Sequence, residues 1–223
     1  MPASAGPKRG AQDIVAAGPS HASASGSGSD QPGHADVLEA SRAVAKCLNG
    51  RFKWALVGGA AVVALGSRRV TEDVDVVIAP PAQLKEAKNA LRTDSRFTVD
   101  KRTRHTTFAS ANSARLIDIE FLSYPGTFKA PFVEATDVTK TESGVNVLPV
   151  PALLESKCSA IASRSQESKR TTDASDIKFV LDYMVSNGTR TSREEVPSAT
   201  PAFQEWFEQF VPGSRRLFGK VGL

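Results

Sequence analysis

Val57-Gly58-Gly59, followed by Arg69-x-Thr71-x-Asp73-Val74-Asp75-Val76-Val77-Ile78, is the stretch on which the reading of this chain turns. An apolar strand, Trp54-Ala55-Leu56-Val57, ends in two glycines that open a short helix rich in Ala, Val and Leu. A second strand then carries two carboxylates at i and i+2. Side chains alternate along a strand, so Asp73 and Asp75 share one face while Val74 and Val76 take the other. Two neighbouring acids repel and raise each other's pKa. A bound divalent cation relieves that repulsion, and carboxylate oxygens are the hard ligands that Mg²⁺ or Mn²⁺ prefers.

A third acidic strand extends the pattern. In Arg115-Leu-Ile-Asp-Ile-Glu-Phe-Leu, Asp118 and Glu120 point the same way between apolar neighbours. Acids from two adjacent strands suit phosphoryl transfer, in which metals activate the attacking oxygen and stabilise the leaving pyrophosphate. The Gly58-Gly59 turn lets the backbone approach a phosphate, and the following helix N-terminus adds amide donors.

These residues resemble the nucleotidyltransferase superfamily that includes DNA polymerase beta and the minimal nucleotidyltransferases. The pattern of that family is an apolar residue, Gly, then Gly or Ser, a helix, an acid-apolar-acid strand and a later strand acid. Gly58-Gly59, Asp73-Val74-Asp75 and Asp118 meet it here. The resemblance implies that Asp73 and Asp75 bind both metals and that Asp118 completes one site and activates the attacking hydroxyl. Ser67 and Arg69 would lie near the triphosphate, with Thr71 beside them. Gly59 stands where Ser is frequent, which removes a hydroxyl that could contact phosphate. Glu120 beside Asp118 leaves the third ligand open, with Asp118 favoured by its neighbours.

Downstream, Lys169-x-x-x-Asp173-x-x-Asp176 is similar to the fourth motif of the abortive-infection toxin nucleotidyltransferases, the toxin half of a bacterial toxin–antitoxin system. On a helix these three side chains share one face. The resemblance implies that Lys169 neutralises phosphate charge and that Asp173 orients it or a substrate group. Glu155-Ser-Lys157 fits the same habit of a helix carrying a lysine toward the site. Together the signals run over about residues 53–185.

The remainder of the chain bounds this picture. At 223 residues and 40% hydrophobic content it can bury a core, as one domain or a compact pair of lobes. A net charge of +4 is compatible with nucleic acid or nucleotide without demanding either. Cys47 and Cys158 have no zinc or disulfide spacing, which makes a reducing compartment the default. The longest apolar run, Trp54–Gly66, is too short to span a bilayer, and the N-terminus lacks the apolar core of a secretory signal. An intracellular protein, cytoplasmic or nuclear, without membrane attachment, is expected.

Residues 1 to 34 are dominated by Ala, Gly, Ser and Pro and read as disordered. Residues 35–150 read as an α+β (α/β-like) lobe: a helix ending at Asn49-Gly50, strand 53–57, helix 59–66, strand 73–78 and a helix opened by Pro81 and running through Leu91. Short strands are expected at Phe97–Val99, Thr106–Ala109 and Val145–Val150, a stronger one at Arg115–Leu122, and a loop at Pro125–Phe132. The resemblance implies that these strands form a short mixed sheet with flanking helices. Residues 151–223 read as a helical lobe with stripes at Leu154/Cys158/Ile161, Ile177/Val180/Leu181/Met184 and Phe203/Trp206/Phe207/Phe210, followed by a loose basic tail from Ser214.

Blander readings stand beside these. Asp73 and Asp75 alone describe a solvated strand face, and Gly58-Gly59 alone a tight turn. Arg69 and Thr71 serve equally to cap a loop. Lys169, Asp173 and Asp176 could be an exposed helix face with one i, i+4 pair. Lys101-Arg102-Thr103-Arg104-His105 reads as a solvated hairpin tip before it reads as a polynucleotide grip. The expected activity is metal-dependent transfer of a nucleoside monophosphate from an NTP to a hydroxyl, with an RNA 3′ end, a small alcohol or a protein side chain as acceptor. A tRNA acceptor would fit a toxin-like enzyme. A catalytically silent nucleotide-binding or protein-interaction scaffold is the alternative, and no motif sets base preference or oligomeric state.

Overall fold

Val74 and Val76 on strand β2 (Asp73–Ile78) are fully buried, and Asp73 and Asp75 between them are only half-buried. That alternation marks a strand with one face in the core and one open to a cleft. The computed structural model describes residues 33–223. The expected disorder of residues 1 to 34 falls almost wholly outside them, although His34 already begins the first helix.

Helix α1 (His34–Leu48) buries Val37, Val44 and Leu48 and stops at Asn49-Gly50, where Gly50 takes a φ of 73°. Strand β1 (Trp54–Leu56) is wholly buried, with the Trp54 indole N–H donating to Asn49 Oδ1 at 3.0 Å. Helix α2 (Gly58–Ala64) follows directly, and then β2. Helix α3 (Leu84–Leu91) begins later than Pro81: Pro80 and Pro81 lie in a turn, and Gln83 is the cap. Strands β3 (Phe97–Val99), β4 (Thr106–Ala109) and β5 (Leu116–Ser123) follow, with Ile117, Ile119 and Phe121 of β5 buried and Asp118 and Glu120 exposed.

Two short strands, β6 (Thr139–Lys140) and β7 (Asn146–Val147), complete the sheet. The strand expected over Val145–Val150 is shorter because Val150 already opens helix α4 (Val150–Ser163), with Pro151 in its first turn, where a missing N–H does no harm. Among the described residues the sheet has seven strands in the order β3-β4-β5-β2-β1-β7-β6. Strand β2 runs antiparallel to β1 and parallel to β5; β1 and β7 are also parallel, and the other pairs are antiparallel. The protein is therefore a mixed α/β fold with its carboxylate-bearing strands at the centre of the sheet.

Helices α1, α2 and α3 pack on the sheet and on one another, and α4 packs against α2 together with α5 (Glu167–Ser186). Ile161 of α4 and Ile177, Val180, Leu181 and Met184 of α5 are buried to 1% or less, as their stripes require. Phe207 of α6 (Pro201–Glu208) is fully buried, while Phe210 beyond it is 48% exposed. The tail expected to be loose is instead helix α7 (Ser214–Val221). Phe218 and Val221 are fully buried, and the Phe218 ring meets Phe207 edge-on at 6.0 Å. Arg215, Arg216 and Lys220 mask that short apolar stripe in the sequence.

Candidate active site

The strand–glycine–helix turn brings backbone unusually close to a carboxylate. Gly58 has a φ of 62°, and a side chain there would collide with Asp75 Oδ2. At Gly59 a Cβ would lie 2.5 Å from Thr71 Oγ1 and 3.0 Å from Arg69 Nη2. Both positions therefore require glycine, one for backbone freedom and contact, the other for contact alone. The space a serine would occupy at 59 is filled by the Thr71 hydroxyl, which is buried and donates to Asp73 Oδ1 at 3.1 Å.

A cavity of about 550 Å³ opens over this turn. Gly58, Gly59, Arg69, Thr71, Asp73 and Asp75 line one side; Lys157 on α4 and Lys169 and Asp173 on α5 line the other. Burial, then the charges of Asp73 and Glu120, push the Asp75 carboxyl up to about 7, against the pull of Lys157 and Arg69. Burial and two neighbouring acids thus both disfavour its ionised form.

The opposite wall is an ion-pair network under cover. Asp173 and Asp176 are 3% and 1% exposed, which excludes a solvated helix face. Lys157 Nζ lies 3.3 Å from Asp173 Oδ1 and 2.7 Å from Asp176 Oδ2. Asp176 also accepts from Arg69 Nη1, which ties the loop before β2 to α5. Arg164 donates from Nε to Asp173 Oδ2 at 2.9 Å. Buried carboxylates thus hold three cations at the cavity, a job served by the Asp173 and Asp176 spacing and unreadable from it.

Three expected site residues lie off the cavity wall. Asp176 sits beneath it. Ser67 accepts from the Arg69 backbone N–H, and its carbonyl meets His34 Nε2. Asp118 stands opposite Asp73 in the β2–β5 register and Glu120 opposite Asp75, yet Asp118 is turned to His105, with Nε2 and Oδ1 3.0 Å apart. Among the described residues, no three acidic, histidine or cysteine side chains gather as a metal cage. Magnesium sites of the phosphate-handling kind need only one or two carboxylates, with water and substrate phosphates completing the shell. The same-face pair Asp73 and Asp75 fits that requirement.

The lining also holds Val70, Glu72, Arg164, Ser168 and Thr172, which the sequence reading did not single out. Ser168 and Thr172 are one helical turn apart beside Lys169, a spacing that could have flagged them. Nothing local marks Arg164. Phe128, in the loop expected at Pro125–Phe132, borders a second groove with Glu155, whose carboxylate accepts from Ser198. None of the described helices is long and apolar enough to cross a membrane.

A mixed sheet with paired carboxylates facing a glycine turn and a bank of cations defines a nucleotidyltransferase-like protein. A family model described as nucleotidyl transferase AbiEii toxin, type IV toxin–antitoxin system, matches residues 46–209, and the chain belongs to that family. An antigenic nucleotidyltransferase-like protein from Paracoccidioides brasiliensis superposes with a TM-score of 0.63, at 19% identity over 83% of this chain and 93% of that one. JHP933 from Helicobacter pylori gives 0.50, at 14% identity over 85% and 88%. At such identities these likenesses concern the fold. No curated protein matches the sequence.

Proposed function

We propose that the protein transfers a nucleoside monophosphate from an NTP to a hydroxyl acceptor in a reaction that depends on Mg²⁺ or Mn²⁺. The observation that carries this reading is the Asp73–Asp75 pair lining one cavity with Arg69 beside it and Lys157 and Lys169 on the other wall, with the Asp75 carboxyl raised to about 7. Asp73 and Asp75 would hold the cation, which when bound would neutralise charge on the reacting phosphate and the departing pyrophosphate.

This chain's own residues supply the remainder. Gly58 and Gly59 let the α2 N-terminus approach a phosphate without a side chain between them. Arg69, Lys157 and Lys169 balance triphosphate charge, and Asp176 and Asp173 fix the first two or their neighbours in place. Thr71 hydrogen-bonds Asp73 and sets its rotamer. Asp118, in register with Asp73 and open to solvent, would accept the acceptor's proton, its contact with His105 giving way to the acceptor. The acceptor oxygen forms a bond to the α-phosphorus, the α–β bridging bond breaks, and pyrophosphate leaves.

The acceptor class proposed is a hydroxyl on RNA, a small alcohol or a protein. The test is incubation of the protein with each α-labelled NTP, Mg²⁺ or Mn²⁺, and total RNA and protein extract, beside the Asp73→Ala/Asp75→Ala variant. Labelled product from the wild type alone supports the reading. Absence of nucleotide binding and of transfer with every NTP and either metal rejects it.

A further inference from the structure

Asp173 is a buried carboxylate with two cationic partners, one per oxygen. Lys157 takes Oδ1 at 3.3 Å, and the Arg164 Nε–H takes Oδ2 at 2.9 Å. Lys157 lies on α4, and Arg164, seven positions on, is the residue that caps that helix. Their shared carboxylate joins the two cations along one wall of the cavity. Lys157 is the near end, since its charge acts on Asp75. Arg164 is the far end, where α4 gives way to α5 and Ser168, Lys169 and Thr172 complete the wall.

The Arg164 guanidinium is anchored yet unfinished. Its side chain is 41% exposed and borders the cavity, and its backbone carbonyl is fixed by Arg170 Nε at 2.8 Å. Among the described residues, only the Nε–H finds a protein acceptor. The paired Nη groups remain as a planar fork, the geometry that grips a phosphate through two parallel hydrogen bonds. A fork held by a buried acid is pre-ordered, so little side-chain entropy is lost when it closes on a ligand.

We propose that Arg164 is a substrate-binding residue that grips the terminal phosphate of a nucleoside triphosphate and so selects triphosphate over diphosphate. This rests on the nucleotidyltransferase reading, because the α-phosphate must lie at Asp73 and Asp75 for the chain of phosphates to run along Lys157 toward Arg164. The α5 N-terminus and Lys169 add positive potential at that same far end.

The experiment measures Mg²⁺-supported binding of an α,β-methylene NTP and of the matching NDP to wild type, Arg164→Gln and Arg164→Lys, by calorimetry. Arg164→Lys guards against misfolding: its ammonium keeps a charge beside Asp173 but lacks the planar pair of N–H groups that closes on a phosphate. Wild type is expected to prefer the NTP analogue by about ten- to a hundredfold, the range of a charge-assisted contact, and both variants to lose most of that preference. Unchanged NDP affinity in the variants distinguishes lost terminal recognition from general damage. A variant that folds and keeps the full preference overturns the role of Arg164 and leaves the transferase reading standing. Failure of the wild type to bind either nucleotide overturns both.

Discussion

Asp73 and Asp118 are direct partners in the parallel ladder between β2 and β5, so two acids distant in sequence stand side by side on one face of the sheet. Neighbouring strands lie about 4.8 Å apart, close enough for both carboxylates to serve one reacting centre. Only one of them faces the cavity. Asp118 is held by His105 and is open to solvent.

Asp118→Asn is expected to lower kcat by about a hundredfold or more while NTP affinity stays within about twofold, the pattern of a lost proton acceptor. Glu120→Gln should cost far less in kcat. Steady-state kinetics and calorimetry on both variants check this, and a larger kcat loss for Glu120→Gln would reassign the role.

The Asp75 carboxyl, raised to about 7, makes stability depend on pH in a set direction. Its pKa is higher folded than unfolded, so between about pH 4 and 7 the native state holds more protons and loses stability as pH rises. Asp75→Asn has no such group. Its melting temperature, measured in EDTA, should therefore gain on wild type from pH 4.5 to pH 7 and level off above. Mg²⁺ should narrow the gap at pH 8 by favouring the carboxylate. A gap that stays constant with pH would refute the assignment.

Gly59 and Thr71 occupy one volume between them. Gly59→Ser is expected to destabilise the protein by about 1–3 kcal/mol through overpacking. Adding Thr71→Ala should recover most of that loss and return a hydroxyl to the phosphate side. A double-mutant cycle by urea unfolding reads the coupling; additive effects would mean that the two side chains do not compete.

Asp176 lies beneath Arg69 and Lys157, 1% exposed. Asp176→Ala leaves Arg69 without its carboxylate and Lys157 with Asp173 alone, and should cost about 3–5 kcal/mol in urea denaturation. Asp176→Ala combined with Lys157→Met should be less damaging than the sum of the two. Strict additivity would show that the network carries no mutual stabilisation.

The elements near the carboxylates were legible because short-range physics sets them. Asp73–Ile78, Phe97–Val99 and Thr106–Ala109 are strands with the expected bounds, since alternation and β-branched residues act over a few positions. Helix α7 was not, because its stripe is short and flanked by basic residues; packing on α5 and of Phe218 against Phe203 and Phe207 supports it.

The sequence by itself determined that Asp73 and Asp75 share a face and that glycine precedes them, because strand geometry and turn sterics depend on neighbours in the chain. It also placed Lys169, Asp173 and Asp176 on one side of a helix. Only the tertiary structure decided what those acids do: Asp173 and Asp176 turn inward to clamp Lys157, Arg69 and Arg164, and Asp118 turns outward to His105. Partners drawn from separate segments meet only after the sheet and helices pack, and ion pairing depends on that distance and burial rather than on spacing along the chain.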